Sequence, residues 1–181
     1  MKRSSPVRSI AQIALCTAVI SVSAMISIPF FAVPFTLQNF AVFSTFGILG
    51  AKKGSISLLL YLAIGATGLP VFSGFSGGIG VLTGPSGGFL LGFLLAIPIF
   101  FIAEALARKR KKAQTLLCSA AMVATLLPIY ALGSLWYYAF YANGASYIAT
   151  LPVTVLPFLI PDAVKIFLAA SVSARLRRFA A

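Results

Sequence analysis

The sequence predicts an all-α membrane protein: a single domain, residues 1–181, built as a bundle of six transmembrane helices. Two observations lead to this fold class. Apolar residues make up 60% of the chain, and its mean hydropathy is +1.05. Only 16 residues carry a charge, namely 14 Lys or Arg and 2 acids. A soluble domain is about 45–50% apolar and about 25% charged, so this chain has too few charges to cover a surface that faces water.

Six apolar runs give the predicted helices in chain order. Their ranges are 9–28, 36–50, 54–69, 87–107, 114–140 and 152–174. A lipid-exposed span needs about 20 residues, so we expect neighbours to cover part of the short second and third helices. The run that begins at Ile10 is too long for the apolar region of a cleavable signal peptide and lacks a clear cleavage site. It is therefore interpreted as a membrane helix.

The cations indicate an orientation. Thirteen of the 14 lie in four clusters, in the ranges 2–8, 52–53, 108–112 and 175–178. Six crossings place all four clusters on the same side, and the positive-inside rule assigns that side and both termini to the cytoplasm. We interpret the run 108–112 as a topology signal. A patch for anionic lipid headgroups or a cytoplasmic partner is the alternative, and both fit the placement better than nucleic-acid binding.

The residue types also exclude several classes of function. The chain contains no His, which excludes His-assisted catalytic triads and His metal sites. Cys16 and Cys118 lie in separate apolar stretches and predict neither a disulfide framework nor a zinc site. Neither GxxxxGK[ST] nor GxGxxG occurs, so the chain does not drive transport by hydrolysing ATP itself. We expect no catalytic residue, no metal and no cofactor.

The first outer loop, residues 28–40, carries polar groups at the start of the second helix. Two prolines in this loop break the helical hydrogen-bond ladder. Thr36, Gln38 and Asn39 follow them and supply hydrogen-bonding groups. The loop is therefore expected to help form a polar site near the outer face.

The segment 65–92 holds ten of the chain's 15 glycines. Glycine lets a backbone approach a ligand closely, and irregular backbone at membrane depth must be buried in protein or line a cavity. We interpret the segment as an outer loop that closes a small-molecule pocket and offers backbone N–H groups. Tight helix packing through small residues, with a flexible loop, is the alternative. The candidate contacts here are Ser73, Phe75, Ser76, Gly77 and Gly78.

The third outer region, residues 135–152, contains the sole tryptophan, Trp136, and four of the six tyrosines. An aromatic belt at the membrane interface explains most of them. Trp136 is the candidate for stacking against an apolar ring in a pocket.

The predicted last helix contains two charges, Asp162 and Lys165. Each charge in a span costs about 2.5–3.5 kcal/mol, so such residues point to a function. Their i, i+3 spacing places them on one helical face. Pro161 is predicted to lie in the first helical turn, where Asp162 would complement the helix dipole. A self-neutralising pair that only fixes helix packing is the alternative.

The other acid, Glu104, lies four residues before Arg108 near the basic end of the fourth helix. This spacing predicts an ion pair at the membrane interface. The pair needs no further function to explain it.

These elements together resemble the BioY family, the biotin-specific substrate-binding subunits of energy-coupling factor (ECF) transporters. The resemblance is carried by VPFTLQNFAVF (33–43), the glycine-rich block GATGLPVFSGFSGGIGVLTGPSGGFLLGF (65–93), LGSLW (132–136) and LPFLIPDAVK (156–165), in the family's order. Ile-Pro-Asp stands where many members carry a Pro-Gly-Asp-like form, but the Asp and Lys stay in register.

The resemblance implies a six-helix bundle with a biotin pocket near the outer face, closed by the first and third connections. Asp162 would accept hydrogen bonds from the ureido N–H groups, while Lys165 would donate to the ureido oxygen or pair with the carboxylate. The other implied contacts are polar groups of Gln38 and Asn39, the hydroxyls of Ser73 and Ser76, backbone N–H groups of the glycines, and the rings of Phe75 and Trp136.

The resemblance also implies partners: a transmembrane coupling subunit bound to two cytoplasmic ATPases. Ala11, Ala14 and Ala18 form a small-residue face on the first helix, and the resemblance implies that this face contacts the coupling subunit. Internal packing is the alternative for this face. For the whole chain the alternatives are another vitamin such as thiamine or riboflavin, an intramembrane Ser/Lys hydrolase, or a structural adaptor without a ligand.

Overall fold

The computed structural model of the chain describes residues 6–29, 32–109 and 113–180. In chain order its helices are α1 (Pro6–Met25), α2 (Gln38–Ala66), α3 (Ile79–Leu82), α4 (Gly87–Gly92), α5 (Ala96–Lys109), α6 (Gln114–Tyr141), α7 (Tyr147–Thr154) and α8 (Leu156–Ala180). Two short strands, β1 (Ser27–Ile28) and β2 (Phe35–Thr36), pair antiparallel. The predicted all-α fold is confirmed.

Helix α2 turns back on itself at Gly50. This residue has φ +80° and ψ 175°, a backbone conformation that is essentially restricted to glycine. A Cβ atom on Gly54 would lie 3.1 Å from the Cα of Phe46, whereas eight residues of a straight helix span about 12 Å. The segments 38–49 and 51–66 are therefore antiparallel, and they correspond to the predicted second and third helices.

The described residues contain five helices that are long and apolar enough to cross a membrane. They are Pro6–Met25, Gln38–Ala66, Gly87–Arg108, Gln114–Tyr141 and Leu156–Arg177. The third of these joins α4 to α5 through a 3-10 turn at Phe93–Leu95. Because Gln38–Ala66 folds back at Gly50, the bundle has six long helical segments, as predicted.

Several predicted helix ends differ from those of the structure, and two of the differences matter most for the loop end. The first helix ends at Met25 rather than at residue 28, because Ser27 and Ile28 pair with the second strand of the loop. The last helix begins at Leu156, so Pro161 is its sixth residue and does not lie in the first turn. Residues 152–154 belong instead to the separate helix α7. Asp162 is therefore too far along α8 to complement the dipole at its first turn.

The cationic clusters of the described chain lie at one end of the bundle, which we call the basic end. Three hydrogen bonds join the other helices to the α2 turn there. They are Lys53 Nζ to Gln12 Oε1 (2.7 Å), the Ala51 N–H to Glu104 Oε2 (2.9 Å), and Arg177 Nε to the Gly47 carbonyl (2.7 Å). The two loops rich in proline and glycine lie at the opposite end, which we call the loop end.

Candidate ligand-binding site

A cavity at the loop end lies between the first loop, the glycine-rich segment, α6 and α8. Its volume is about 130 Å³, roughly ten times what one water molecule needs. Its polar lining residues are Thr36, Gln38, Asn39, Ser73, Ser76, Ser86, Tyr130, Asp162 and Lys165. Its apolar lining residues are Val33, Pro34, Phe72, Val81, Phe89, Leu90, Phe93, Ile129 and Phe158. The cavity combines apolar walls with a few polar groups, the usual composition of a small-molecule site.

Asp162 lies at the centre of the polar lining and is only 1% exposed. Its Oδ2 atom accepts hydrogen bonds from Tyr130 OH at 2.6 Å and from Asn39 Nδ2 at 2.7 Å. Its Oδ1 atom accepts from Lys165 Nζ at 2.7 Å. Residues from α2, α6 and α8 thus meet at one carboxylate. A carboxylate has about four lone-pair sites, and the described residues use three of them.

Lys165 faces the same cavity and is 5% exposed. Its Nζ atom lies 3.9 Å from the ring centroid of Phe35, close enough for a cation–π interaction. An ammonium group carries three N–H donors, and within the described part of the chain its hydrogen bond goes to Asp162. Strand β2 positions Phe35, so the first loop lies directly over the charged pair.

Gln38 contributes a donor that no other described residue uses. The residue is 5% exposed, and its Nε2 atom has no hydrogen-bond partner among the described residues. A buried polar group without a partner costs about 1–3 kcal/mol. Because Gln38 lines the cavity, a bound ligand with an acceptor atom would recover this energy.

The glycine-rich segment is fixed to the rest of the bundle at several points. The Gly74 N–H donates to Ser27 Oγ at 3.1 Å, which joins the segment to the first loop. The Gly78 N–H donates to the Gly65 carbonyl at 2.7 Å. Further along, a Cβ on Gly92 would lie 3.0 Å from the Cα of Ile129. Both halves of the segment therefore line the cavity, and the second half also packs tightly against α6.

The predicted contact residues of this segment divide into two groups. Ser73 and Ser76 line the cavity. Phe75 does not, because its residue is 70% exposed. Gly77 and Gly78 also lie outside the lining; Gly78, with φ +93°, precedes α3 and shapes the loop.

Trp136 also lies outside the cavity lining. Its Nε1 atom donates to the Gly84 carbonyl at 3.1 Å, and its side chain contacts Gly88. It therefore supports the glycine-rich segment from α6 and does not face the cavity. The remaining predicted residues, Gln38, Asn39, Asp162 and Lys165, lie together as expected.

Tyr130 and Phe35 contact the charged pair although the sequence does not predict them there. Tyr130 precedes Ser134 by four residues, and both are buried. This spacing marks a polar face on an otherwise apolar helix, which is the signal that could have found Tyr130. Phe35 gave no such signal, because its contact with Lys165 depends on how the first loop folds over α8.

The alanine face of α1 points away from the bundle. Ala11, Ala14 and Ala18 are all exposed, whereas the buried residues of α1 are Thr17, Ile20, Ser21 and Ala24. Internal packing therefore does not account for the three alanines, and they remain available to lipid or to a partner.

The family assignment follows from comparison with known proteins. The model of the BioY family matches residues 1–181. The chain belongs to the BioY family. Biotin transporter BioY of Thermotoga maritima is 40% identical over 171 residues, which cover 94% of this chain and 96% of that protein. The probable biotin transporter BioY of Pyrococcus horikoshii is 39% identical over 170 residues, with the same coverage.

A solved structure shares the fold of this BioY family chain. It is the crystal structure of the S-component for biotin from an ECF-type ABC transporter. The two align with a TM-score of 0.81 and 28% identity, and the alignment covers 98% of this chain and 95% of the other. The resemblance inferred from the sequence motifs is therefore confirmed.

Proposed function

We propose that this BioY family chain is the biotin-binding subunit of an ECF-type vitamin uptake transporter. It captures biotin at the loop end and delivers it to the cytoplasm, with energy from partner ATPases. The observation that carries the proposal is a buried carboxylate and a buried ammonium that meet in the wall of a loop-covered cavity. Two charges at such a position are costly, and a polar ligand explains why they are there. Family membership places the chain among transport components and not among enzymes.

The lining matches the chemistry of the biotin head. Biotin has two ureido N–H donors, one ureido carbonyl, an apolar thioether ring and a carboxylate tail. The lone-pair site of Asp162 that the described residues do not use suits a ureido N–H. The N–H donors of Lys165 and Gln38 suit an oxygen acceptor, and phenylalanine side chains such as Phe72 and Phe89 suit the thioether ring.

The charge balance of the cavity gives Lys165 two possible partners on biotin. The Asp162 carboxylate accepts hydrogen bonds from Tyr130 and Asn39 as well as from Lys165. Lys165 can therefore turn one N–H toward the ureido oxygen or toward the tail carboxylate. A titration with biotin and its methyl ester, in the wild type and in Lys165→Met, separates the two. If Lys165 binds the tail, the substitution removes the preference for biotin over its methyl ester. If Lys165 binds the head, the substitution weakens the binding of both ligands equally.

The charge distribution supports a cytoplasmic position of the basic end and of both termini in a bacterial-type plasma membrane. It leaves the loop end facing outward, where biotin would enter. The exposed face of Ala11, Ala14 and Ala18 on α1 would then contact the transmembrane coupling subunit, which carries two cytoplasmic ATPases.

A substitution on this face tests the partner assignment. Ala14→Trp should abolish biotin uptake by cells but leave biotin binding to the purified chain unchanged. The matched control is Leu127→Trp, because Leu127 is 72% exposed on α6 and the added bulk there faces lipid. Equal uptake by the two variants would contradict the assignment.

The proposed substrate is tested by calorimetric titration of the purified chain with biotin, desthiobiotin, lipoate, thiamine and riboflavin. The proposal predicts binding of biotin tighter than micromolar and no comparable binding of thiamine or riboflavin. A different vitamin bound more tightly would keep the scaffold and change the substrate. Binding of none of them, together with no small molecule retained in native mass spectrometry, would favour a structural adaptor.

A further inference from the structure

A second cavity lies at the basic end, between α6 and α8. Its volume is about 390 Å³, three times that of the cavity beside Asp162. Its polar lining residues are Gln114, Thr115, Ser119, Ser173 and Arg177, and small side chains complete the wall. None of its lining residues is acidic. Arg177 lies twelve residues after Lys165 on α8, about 18 Å along the helix, so this cavity is separate from the biotin site.

We propose that this cavity binds the phosphate group of an anionic phosphate ester. Arg177 provides the positive charge. Its Nε atom donates to the Gly47 carbonyl at 2.7 Å, which fixes the plane of the guanidinium. The guanidinium also interacts with the Cys118 thiol in the cavity wall, a weak acceptor that a phosphate oxygen would replace. Arginine presents N–H donors in a planar fork that matches a phosphate bidentately. A guanidinium that is already held in place loses little side-chain entropy when it binds.

The start of α6 supplies a second source of donors. Gln114 and Thr115 are its first two residues and line the cavity. Its N-cap residue is Ala113, whose side chain cannot accept a hydrogen bond. The first backbone N–H groups of a helix lack intrahelical acceptors, and they carry the positive end of the helix dipole. A phosphate placed beside them would be favoured on both counts.

A buried hydroxyl in the same wall is also without a partner. Ser173 is 2% exposed, lines the cavity, and its Oγ atom, which contacts Gly47, has no hydrogen-bond partner among the described residues. The acid nearest to this end in the fold is already engaged, since Glu104 binds Arg108 and the Ala51 N–H. The donors available to a phosphate oxygen are therefore those of Arg177 and of the start of α6, because the Ser173 Oγ atom is buried against Gly47.

Two sources could supply the phosphate: the headgroup of an anionic lipid, or a water-soluble phosphate ester. The lipid arm of the test uses the purified chain in a neutral detergent. Native mass spectrometry then measures the binding of dioleoyl phosphatidylglycerol against that of dioleoyl phosphatidylcholine. The soluble arm titrates sn-glycerol 3-phosphate by calorimetry. Binding in either arm supports the site and identifies its source.

Three variants decide whether the binding occurs in this cavity. Arg177→Ala should weaken binding at least tenfold. The double variant Q114L/T115V removes the side-chain amide and hydroxyl donors at the start of α6; it should weaken binding three- to tenfold, and it keeps the bond between Arg177 and Gly47. The matched control is Arg175→Ala, because Arg175 is exposed on the same helix end and does not line the cavity; its effect should stay below twofold. Retained biotin binding shows that each variant is folded.

The proposal is overturned if phosphatidylglycerol binds no better than phosphatidylcholine and glycerol phosphate does not bind. It is also overturned if Arg175→Ala weakens binding as much as Arg177→Ala, because that result would indicate a general attraction to the basic end. If Arg177→Ala does not fold, the double variant alone decides, and wild-type affinity in it would reject the site.

Discussion

The two acids of this chain form two ion pairs in opposite surroundings. Lys165 Nζ and Asp162 Oδ1 lie 2.7 Å apart, and the two side chains are 6% and 2% exposed. Arg108 and Glu104 lie 3.1 Å apart, with side chains 79% and 36% exposed. An exposed pair contributes about 0–1 kcal/mol, while a buried pair must overcome a large desolvation penalty. The buried pair of Asp162 and Lys165 is the costlier of the two, and it lines a cavity. This position indicates that the pair serves ligand binding rather than stability.

The neighbours of each acid point to the same difference. Asp162 also binds Tyr130 and Asn39, which come from two other helices. Glu104 also accepts the Ala51 N–H, directly after the backbone break at Gly50. The first acid organises the wall of a cavity, and the second organises a turn.

The largest expected effect is a difference in the free energy of unfolding between variants of the two acids. Asp162→Asn leaves Lys165 as a buried charge without a counterion, and we expect it to lower the free energy of unfolding by about 3–5 kcal/mol. The matched variant Glu104→Gln should lower it by less than about 1 kcal/mol. Equilibrium unfolding in mixed micelles measures both.

A double variant sharpens this result. Because Asp162→Asn with Lys165→Met removes both charges, it should be less destabilised than Asp162→Asn alone. Additive losses would mean that the two charges do not depend on one another. Equal losses in Asp162→Asn and Glu104→Gln would remove the contrast between the buried and the exposed pair.

The next effect concerns the hydroxyl of Tyr130. Tyr130→Phe removes one hydrogen bond to the Asp162 carboxylate, and a bond to a charged group contributes about 1.5–3 kcal/mol. We therefore expect biotin affinity to fall about tenfold or more in a calorimetric titration. Tyr137→Phe, which removes a hydroxyl elsewhere on α6, should bind biotin like the wild type. A Tyr130→Phe variant with unchanged affinity would show that Asp162 is positioned without it.

The turn beside Glu104 should depend on backbone conformation more than on charge. Gly50→Ala places a side chain at φ +80°, and such strain costs about 1–3 kcal/mol. The control is Gly80→Ala, because a Cβ there meets nothing within 4 Å. Thermal unfolding should show a lower midpoint for the first variant and little change for the second. A lower midpoint for Gly80→Ala than for Gly50→Ala would show that the backbone conformation of Gly50 does not determine the stability of the turn.

The smallest effect is expected for Arg108→Ala. It removes the partner of Glu104 but leaves the bond to the Ala51 N–H. Because the pair is exposed, we expect the free energy of unfolding to fall by less than about 1 kcal/mol, and by less still at high salt. A loss as large as that of Gly50→Ala would show that the ion pair, and not the glycine, holds the turn.

Features that depend on spacing within a helix could be predicted from the sequence. The pairs Asp162 with Lys165 and Glu104 with Arg108 follow from i, i+3 and i, i+4 spacing, and both form. The common end of the cationic clusters follows from the number of spans. These predictions need no knowledge of how distant segments meet.

Features that depend on distant contacts could not be predicted in this way. Tyr130 lies 32 positions from Asp162, and its role appears only when α6 packs against α8. The sequence predicts Pro161 in the first turn of a helix, but it is the sixth residue of α8, which also accommodates Pro157 at its second position. Trp136 and Phe75 were expected to cover a ligand. The first supports the loop, and the second is exposed, because tertiary packing decides which aromatic side chains face a cavity.

The central claim is that the buried charges exist to bind biotin. Calorimetric titration of biotin into Asp162→Asn, with Glu104→Gln as the matched control, tests it most directly. The account predicts that Asp162→Asn binds at least tenfold more weakly than the wild type, a loss of about 1.4 kcal/mol or more, and that Glu104→Gln stays within twofold of the wild type. Wild-type affinity in a folded Asp162→Asn would contradict it.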